Sequence, residues 1–277
     1  MDIDHILFLV ALLNLLGDLY NIVRFRGHLP RWMPWANAAA LAGCIGVKLT
    51  VATNAGAWAL GILLLYALLI KVFGRKSRSR LKLPSPATKL LIAANIAAYG
   101  YQMSQHATSN GAAMIGVGAL YGPLLEHGEW WRLITAQFIH WGPLHLAFNM
   151  MGLWFMGRGV EMALGWLRFI IAYLICGAGG MLLAWGISLY GVEPRAIVLM
   201  GASASVLGMV GIQAAMSLSL LRRTGSLVAK AQLTSMTQII VLQMVFDFMV
   251  PEVSSTAHTG GAAIGFVLGM AAFRGRA

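Results

Sequence analysis

Two side chains in this sequence have the types needed for nucleophilic hydrolysis. Ser203 stands in Gly201-Ala202-Ser203-Ala204-Ser205, and His258 in Ala257-His258-Thr259-Gly260-Gly261. A serine hydroxyl becomes a useful nucleophile when an imidazole takes its proton. The tetrahedral species formed on attack needs hydrogen-bond donors for its oxyanion. His145 and Asn149, four residues apart and so on one helix face, are candidate donors. The Ser203 backbone N–H, at a helix amino terminus, is a third. Ser205 lies two residues on, about 200° round an ideal helix, and is read as pointing away from the chemistry.

These residues need elements that hold them at one depth. The chain has 277 residues, 59% hydrophobic and only 10% charged, with mean hydropathy +0.75. Soluble domains carry about 25% charged residues, so the composition excludes a soluble globule and points to an integral membrane protein. The two cysteines, Cys44 and Cys176, sit in apolar runs and read as small buried hydrophobes rather than a disulfide framework. Asp2 and Asp4 open the chain where a signal peptide would be basic, so the first apolar run reads as a retained span.

A spanning helix needs about 20 mostly apolar residues. Segments 6–23, 36–52, 57–72, 87–103, 144–164, 167–189, 202–218, 233–250 and 257–273 meet that need, the second and third being short. A bent or re-entrant segment around Thr53-Asn54-Ala55-Gly56 is the competing reading of that pair. The basic stretch 75–82, ending in Pro84-Ser85-Pro86, divides the chain into an appendage at 1–74, a linker at 75–86 and a six-span unit at 87–277. The roughly 40-residue connection 104–143 is too long for a plain loop. Its Trp130, Trp131 and Trp141 suit a segment lying in the membrane interface.

The net charge of +11 would suggest nucleic acid in a soluble protein, but here it reads as topology. With the basic linker in the cytoplasm, only Lys48, Arg132 and Arg195 of the 20 Lys+Arg fall on the outer side. That orientation puts Ser203, His258, His145 and Asn149 near the outer ends of three different spans. Ser203 then lies roughly 5–10 Å below the outer surface, at 1.5 Å of rise per residue. The small residues Gly261, Gly265 and Gly269 on the last span, and Ala204, Gly208 and Gly211 on the span of Ser203, allow close packing that would bring Ser203 toward His258.

From about Ala87 to Phe273 the chain resembles the rhomboid intramembrane serine proteases. The resemblance is carried by Trp131-Arg132, His140, His145-Leu146-Ala147-Phe148-Asn149, Gly157, Val160-Glu161, Gly201-Ala202-Ser203, Phe246-Asp247 and Ala257-His258-x-x-Gly261-x-x-x-Gly265. It implies an all-α polytopic fold, a six-helix core preceded here by about three extra transmembrane helices. It implies Ser203 as nucleophile, His258 as general base, and His145, Asn149 and the Ser203 N–H as oxyanion donors. It further implies transmembrane protein substrates, neither metal nor cofactor, and a gate formed by the span 233–250 with the loop after it. A bacterial inner membrane is the expected setting, with the active site toward the non-cytoplasmic side. Oligomeric state is not legible.

The chain departs from the family pattern in two ways. Ala204 replaces the glycine that usually follows the nucleophile, and the three-span appendage exceeds the family's common plans. Asp247, eleven residues before His258, is read as a structural hydrogen-bonding group rather than a triad acid, because the family works as a Ser–His pair. Arg132 and Glu161 read as loop and helix-end anchors, and His140 as a loop contact. Asn14 and Asp18 share one face of the first span. A non-proteolytic rhomboid-like chaperone or scaffold is the alternative, and it would need neither Ser203 nor His258. A transporter would call for polar residues at the midplane and paired repeats, which the sequence lacks.

Overall fold

The computed structural model describes residues 85–108, 110–191, 194–249 and 253–273. The expected spans 6–23, 36–52 and 57–72, Cys44, the Asn14 and Asp18 pair and most of the basic linker lie outside the described residues.

The described chain is built from helices. In chain order they are α1 (Pro86–Ser104), the short α2 (Gly111–Gly116), α3 (Gly122–Glu126) and α4 (Arg132–Thr135), then α5 (Gly142–Gly152) and α6 (Arg158–Leu164), α7 (Trp166–Ser188), α8 (Ser203–Thr224), α9 (Leu227–Met249) and α10 (Ser255–Phe273). One π-helical stretch, Leu153–Gly157, joins α5 to α6, so the expected segment 144–164 is one helix with a wide turn inside it. Among the described residues three helices, α7, α8 and α10, are long and apolar enough to cross a membrane.

The ends follow local chemistry. Pro86 opens α1, where a missing N–H costs nothing. Gly225, at φ +63, closes α8 in the left-handed conformation that glycine adopts without strain. With Arg222 and Arg223 in its last turn, α8 runs six residues past the apolar limit read from sequence. The buried carboxylate of Glu161 accepts from the backbone N–H groups of Ala87 (2.9 Å) and Thr88 (2.8 Å) and from the Thr88 hydroxyl (2.7 Å). A negative charge thus satisfies the first turn of α1 from a helix far along the chain.

The helix that carries Ser203 is the central one. Its apolar window is 67% buried, against 39% for α7 and for α10. Its contact with α10 is backbone on backbone. A Cβ on Gly261 would strike the Ala204 carbonyl, one on Gly265 the Gly208 backbone, and one on Gly211 the Ala262 carbonyl. The third helix, α7, closes on the same line, since a Cβ on Gly180 would strike the Ala257 carbonyl. Small residues let these axes approach, and dispersion across the contact replaces side-chain interdigitation.

The connection 104–143 is not a bare loop. It holds three short helices, a 3₁₀ turn at Ala136–Phe138 and a two-residue strand β1 (Leu120–Tyr121). That strand pairs antiparallel with β2 (Val198–Leu199), Leu120 opposite Leu199, the one exception to the all-α expectation among the described residues. The pairing ties the loop to the segment that leads into Gly201. Arg132, 5% exposed, pins the loop from within: its Nη1 donates to the carbonyls of Ile115 (2.6 Å) and Ala119 (2.7 Å), and its Nε to Glu129 (2.7 Å). Trp130, Trp131 and Trp141 are each about half exposed, as interfacial side chains would be.

Candidate active site

Ser203 begins α8, and His258 lies in the first turn of α10. The glycine contacts just described bring the two helix starts together. Ser203 Oγ lies 2.7 Å from His258 Nε2. The other ring nitrogen, Nδ1, lies 2.9 Å from both carboxylate oxygens of Asp247 on α9. A carboxylate accepts only, so Nδ1 carries the proton and the Nε2 lone pair faces the serine hydroxyl. Asp247 is held in turn by Gln243 Nε2, 2.7 Å from its Oδ1. The Asp247 side chain is fully buried, and that of His258 nearly so.

Asp247 is the point at which geometry adds to the sequence reading. The sequence reading took this carboxylate as a structural hydrogen-bonding group and not a triad acid; its partner is instead the imidazole next to Ser203. Gln243 carried no expectation at all. The available signal was an amide and a carboxylate at i, i+4 in an apolar helix, where polar residues are costly.

The two remaining candidates approach from α5. The Trp141 backbone N–H donates to His145 Nδ1 at 3.2 Å, so the His145 proton sits on Nε2. Gly201 has φ +108, and a Cβ there would stand 2.8 Å from His145 Nε2 and 3.5 Å from Asn149 Nδ2. Both donors therefore converge on the backbone two residues before Ser203. Only glycine gives the close approach and the backbone angle together. Asn149 Nδ2 also donates to the His145 carbonyl at 3.1 Å.

His140 behaves as a loop contact. Its Nδ1 donates to the Phe138 carbonyl (3.1 Å), its backbone N–H donates to Gln102 Oε1 (2.9 Å), and its ring packs edge-on against His145. Burial, and then the neighbouring His145, push its pKa down to about 3, so the ring stays neutral. Ser205 points away from His258, as its spacing implies, and donates to Gln137 Oε1 at 3.0 Å. Among the described residues no three His, Cys, Asp or Glu side chains are grouped to hold a metal ion.

A hydroxyl on an imidazole, the imidazole on a carboxylate, and two N–H donors beside the same turn can attack a carbonyl and stabilise the resulting oxyanion. The Rhomboid domain family model matches residues 127–275, more than half of the chain. The chain is similar to the rhomboid protease GluP of Bacillus subtilis, 33% identical over 183 residues, which are 65% of this chain and 33% of GluP. It is similar to RHOMBOID-like protein 5 of Arabidopsis thaliana, 36% identical over 154 residues, 55% of this chain and 47% of that protein. It is also similar to the rhomboid protease AarA of Providencia stuartii, 29% identical over 218 residues, 72% of this chain and 77% of AarA. The chain thus spans about a third to a half of the first two relatives and most of the third. A family match centred on the residues that surround Ser203, in a chain of membrane-crossing helices, makes this an integral membrane protein that belongs to the rhomboid family.

Proposed function

We propose that the chain is an intramembrane serine endopeptidase that hydrolyses peptide bonds in or near the transmembrane segments of other membrane proteins. The observation that carries this reading is the 2.7 Å contact between Ser203 Oγ and His258 Nε2, made across two helices. A scaffold would need no such pairing.

In this mechanism Ser203 Oγ attacks the scissile carbonyl carbon while His258 Nε2 takes the hydroxyl proton. Asp247 keeps the opposite ring nitrogen protonated and balances the imidazolium charge that develops. The carbonyl oxygen becomes an oxyanion that accepts from the Ser203 N–H, His145 Nε2–H and the Asn149 amide. The tetrahedral species collapses, the C–N bond breaks, and His258 gives its proton to the leaving amine. Water, activated by the same imidazole, then hydrolyses the acyl-enzyme. A substrate helix must unwind first, because its carbonyls are bonded internally.

The proposal keeps residues 87–277 as a six-span catalytic unit, 75–86 as a cytoplasmic linker and 1–74 as a membrane appendage. The site then opens toward the non-cytoplasmic side, below the surface but within reach of water. A test uses full-length protein purified in detergent, a labelled transmembrane substrate and a serine-reactive phosphonate. Wild type should cleave and take up the probe. Ser203→Ala should do neither, with its thermal melt nearly unchanged. Wild-type protein that binds the substrate helix but neither cuts it nor takes up the phosphonate would establish a scaffold instead.

A further inference from the structure

We propose that Gln137 is a positioning residue: with Ser205 it clamps the turn that carries Ser203 onto the segment that leads to the oxyanion donors. The inference rests on Ser203 being the nucleophile.

His145 and Asn149 stand on α5, whereas Ser203 stands on α8, and catalysis needs them in fixed relation. A misplacement of about 1 Å at a reacting centre costs about a hundredfold in rate. The 3₁₀ turn Ala136–Phe138, just before α5, meets the nucleophile turn at two points. The Ala136 carbonyl accepts from the Gly201 N–H at 2.9 Å. The Gln137 side chain accepts, through Oε1, from the Ser205 hydroxyl at 3.0 Å. The two bonds bracket Ser203 from either side. Four residues after the turn's start, His140 is held through its own backbone by Gln102, and α5 follows. One short segment therefore sets both the nucleophile turn and the entry to the donor helix.

The Gln137 amide has a single workable orientation. Its Nε2 donates to the carbonyls of Leu133 (2.8 Å) and Leu174 (3.2 Å). A flipped amide would face two carbonyl oxygens with a third. Ser205 must then donate to Gln137. Gln137 and Ser205 are both fully buried, where a satisfied hydrogen bond between side chains is stiff. Gly177 completes the arrangement. A Cβ there would land on both the Ser205 hydroxyl and the Gln137 amide oxygen.

A double-mutant cycle tests the clamp in full-length, detergent-purified protein. The variants are Gln137→Met, Ser205→Ala and the pair together, with Gly177→Ala as an independent route to the same bond and Ser203→Ala alongside. The readouts are kcat and KM on a labelled transmembrane substrate, the rate of phosphonate labelling, and the thermal melt. Each single variant should lower kcat and labelling rate about tenfold to a hundredfold, with KM within about twofold. The double variant should be no slower than the slower single one. Folded variants with lowered melts but wild-type kcat would overturn the proposal, and so would losses that multiply in the double variant. If Gln137→Met does not fold, Ser205→Ala decides the matter, because alanine fits the same space. Ser203→Ala separates the two levels: activity surviving there refutes the nucleophile, whereas its loss beside unaffected Gln137 and Ser205 variants refutes only the clamp.

Discussion

Replacing Asp247 by asparagine should be worse than replacing it by alanine. In the native site both carboxylate oxygens lie 2.9 Å from His258 Nδ1, and Gln243 Nε2 donates to Oδ1 at 2.7 Å. In Asp247→Asn the Gln243 donor selects the amide oxygen for itself. The new NH₂ then faces Nδ1 and donates to it. With an N–H group at the Oδ2 position, the ring is pushed toward the tautomer with its proton on Nε2, where it opposes Ser203 Oγ and cannot accept. A wrong tautomer of this kind costs about 10⁴ in kcat in a serine protease triad, or about 5 kcal/mol in the barrier. Asp247→Ala removes the charge and the orientation but imposes no tautomer, so a smaller loss is expected. KM should change little in either case, because the contact strengthens in the transition state rather than on binding. The assay is steady-state cleavage of a labelled transmembrane substrate, with a thermal melt to normalise for folded protein. If both variants turn over within about twofold of wild type, the Ser203–His258 pair acts without its carboxylate. If alanine is worse than asparagine, the loss comes from packing, and the tautomer argument fails.

His145→Ala and Asn149→Ala should each lower kcat by up to about 10²–10³, with substrate affinity little changed; the reverse pattern, read from kcat and KM separately, would reassign these side chains to binding. Gly265→Ala drives a methyl into the Gly208 backbone and should destabilise the α8–α10 pair by about 1–3 kcal/mol, seen as a lower melting temperature. A truncation beginning near Ser79 should insert in the same orientation, because Arg80, Lys82 and Lys89 remain to hold that end inside. It should still label with phosphonate, and a folded, correctly oriented truncation that does not label would end the division into core and appendage.

Membrane residence was legible in the sequence, because hydropathy is a local, additive property: 10% charged residues cannot wet a 277-residue globule. The close approach of two helices was legible for the same reason, since Gly261, Gly265 and Gly269 each remove a Cβ from one face whatever the partner is. A serine and a histidine in separate helix starts announced a possible chemistry by type. Their 2.7 Å separation did not follow from type, because it depends on how far α8 and α10 rotate and slide against each other. Nor could spacing find the partner of Asp247. Eleven residues before His258 is only a distance along the chain, and the loop between α9 and α10 decides whether the carboxylate meets Nδ1 or a backbone amide. The longer pairings were still less legible. Glu161 caps a helix 73 residues away, and Ser205 bonds Gln137 68 residues away. Such bonds form where packing has already excluded water and left a polar group one partner to choose. Residue types thus specified which groups had to be satisfied, and the tertiary arrangement alone specified by whom.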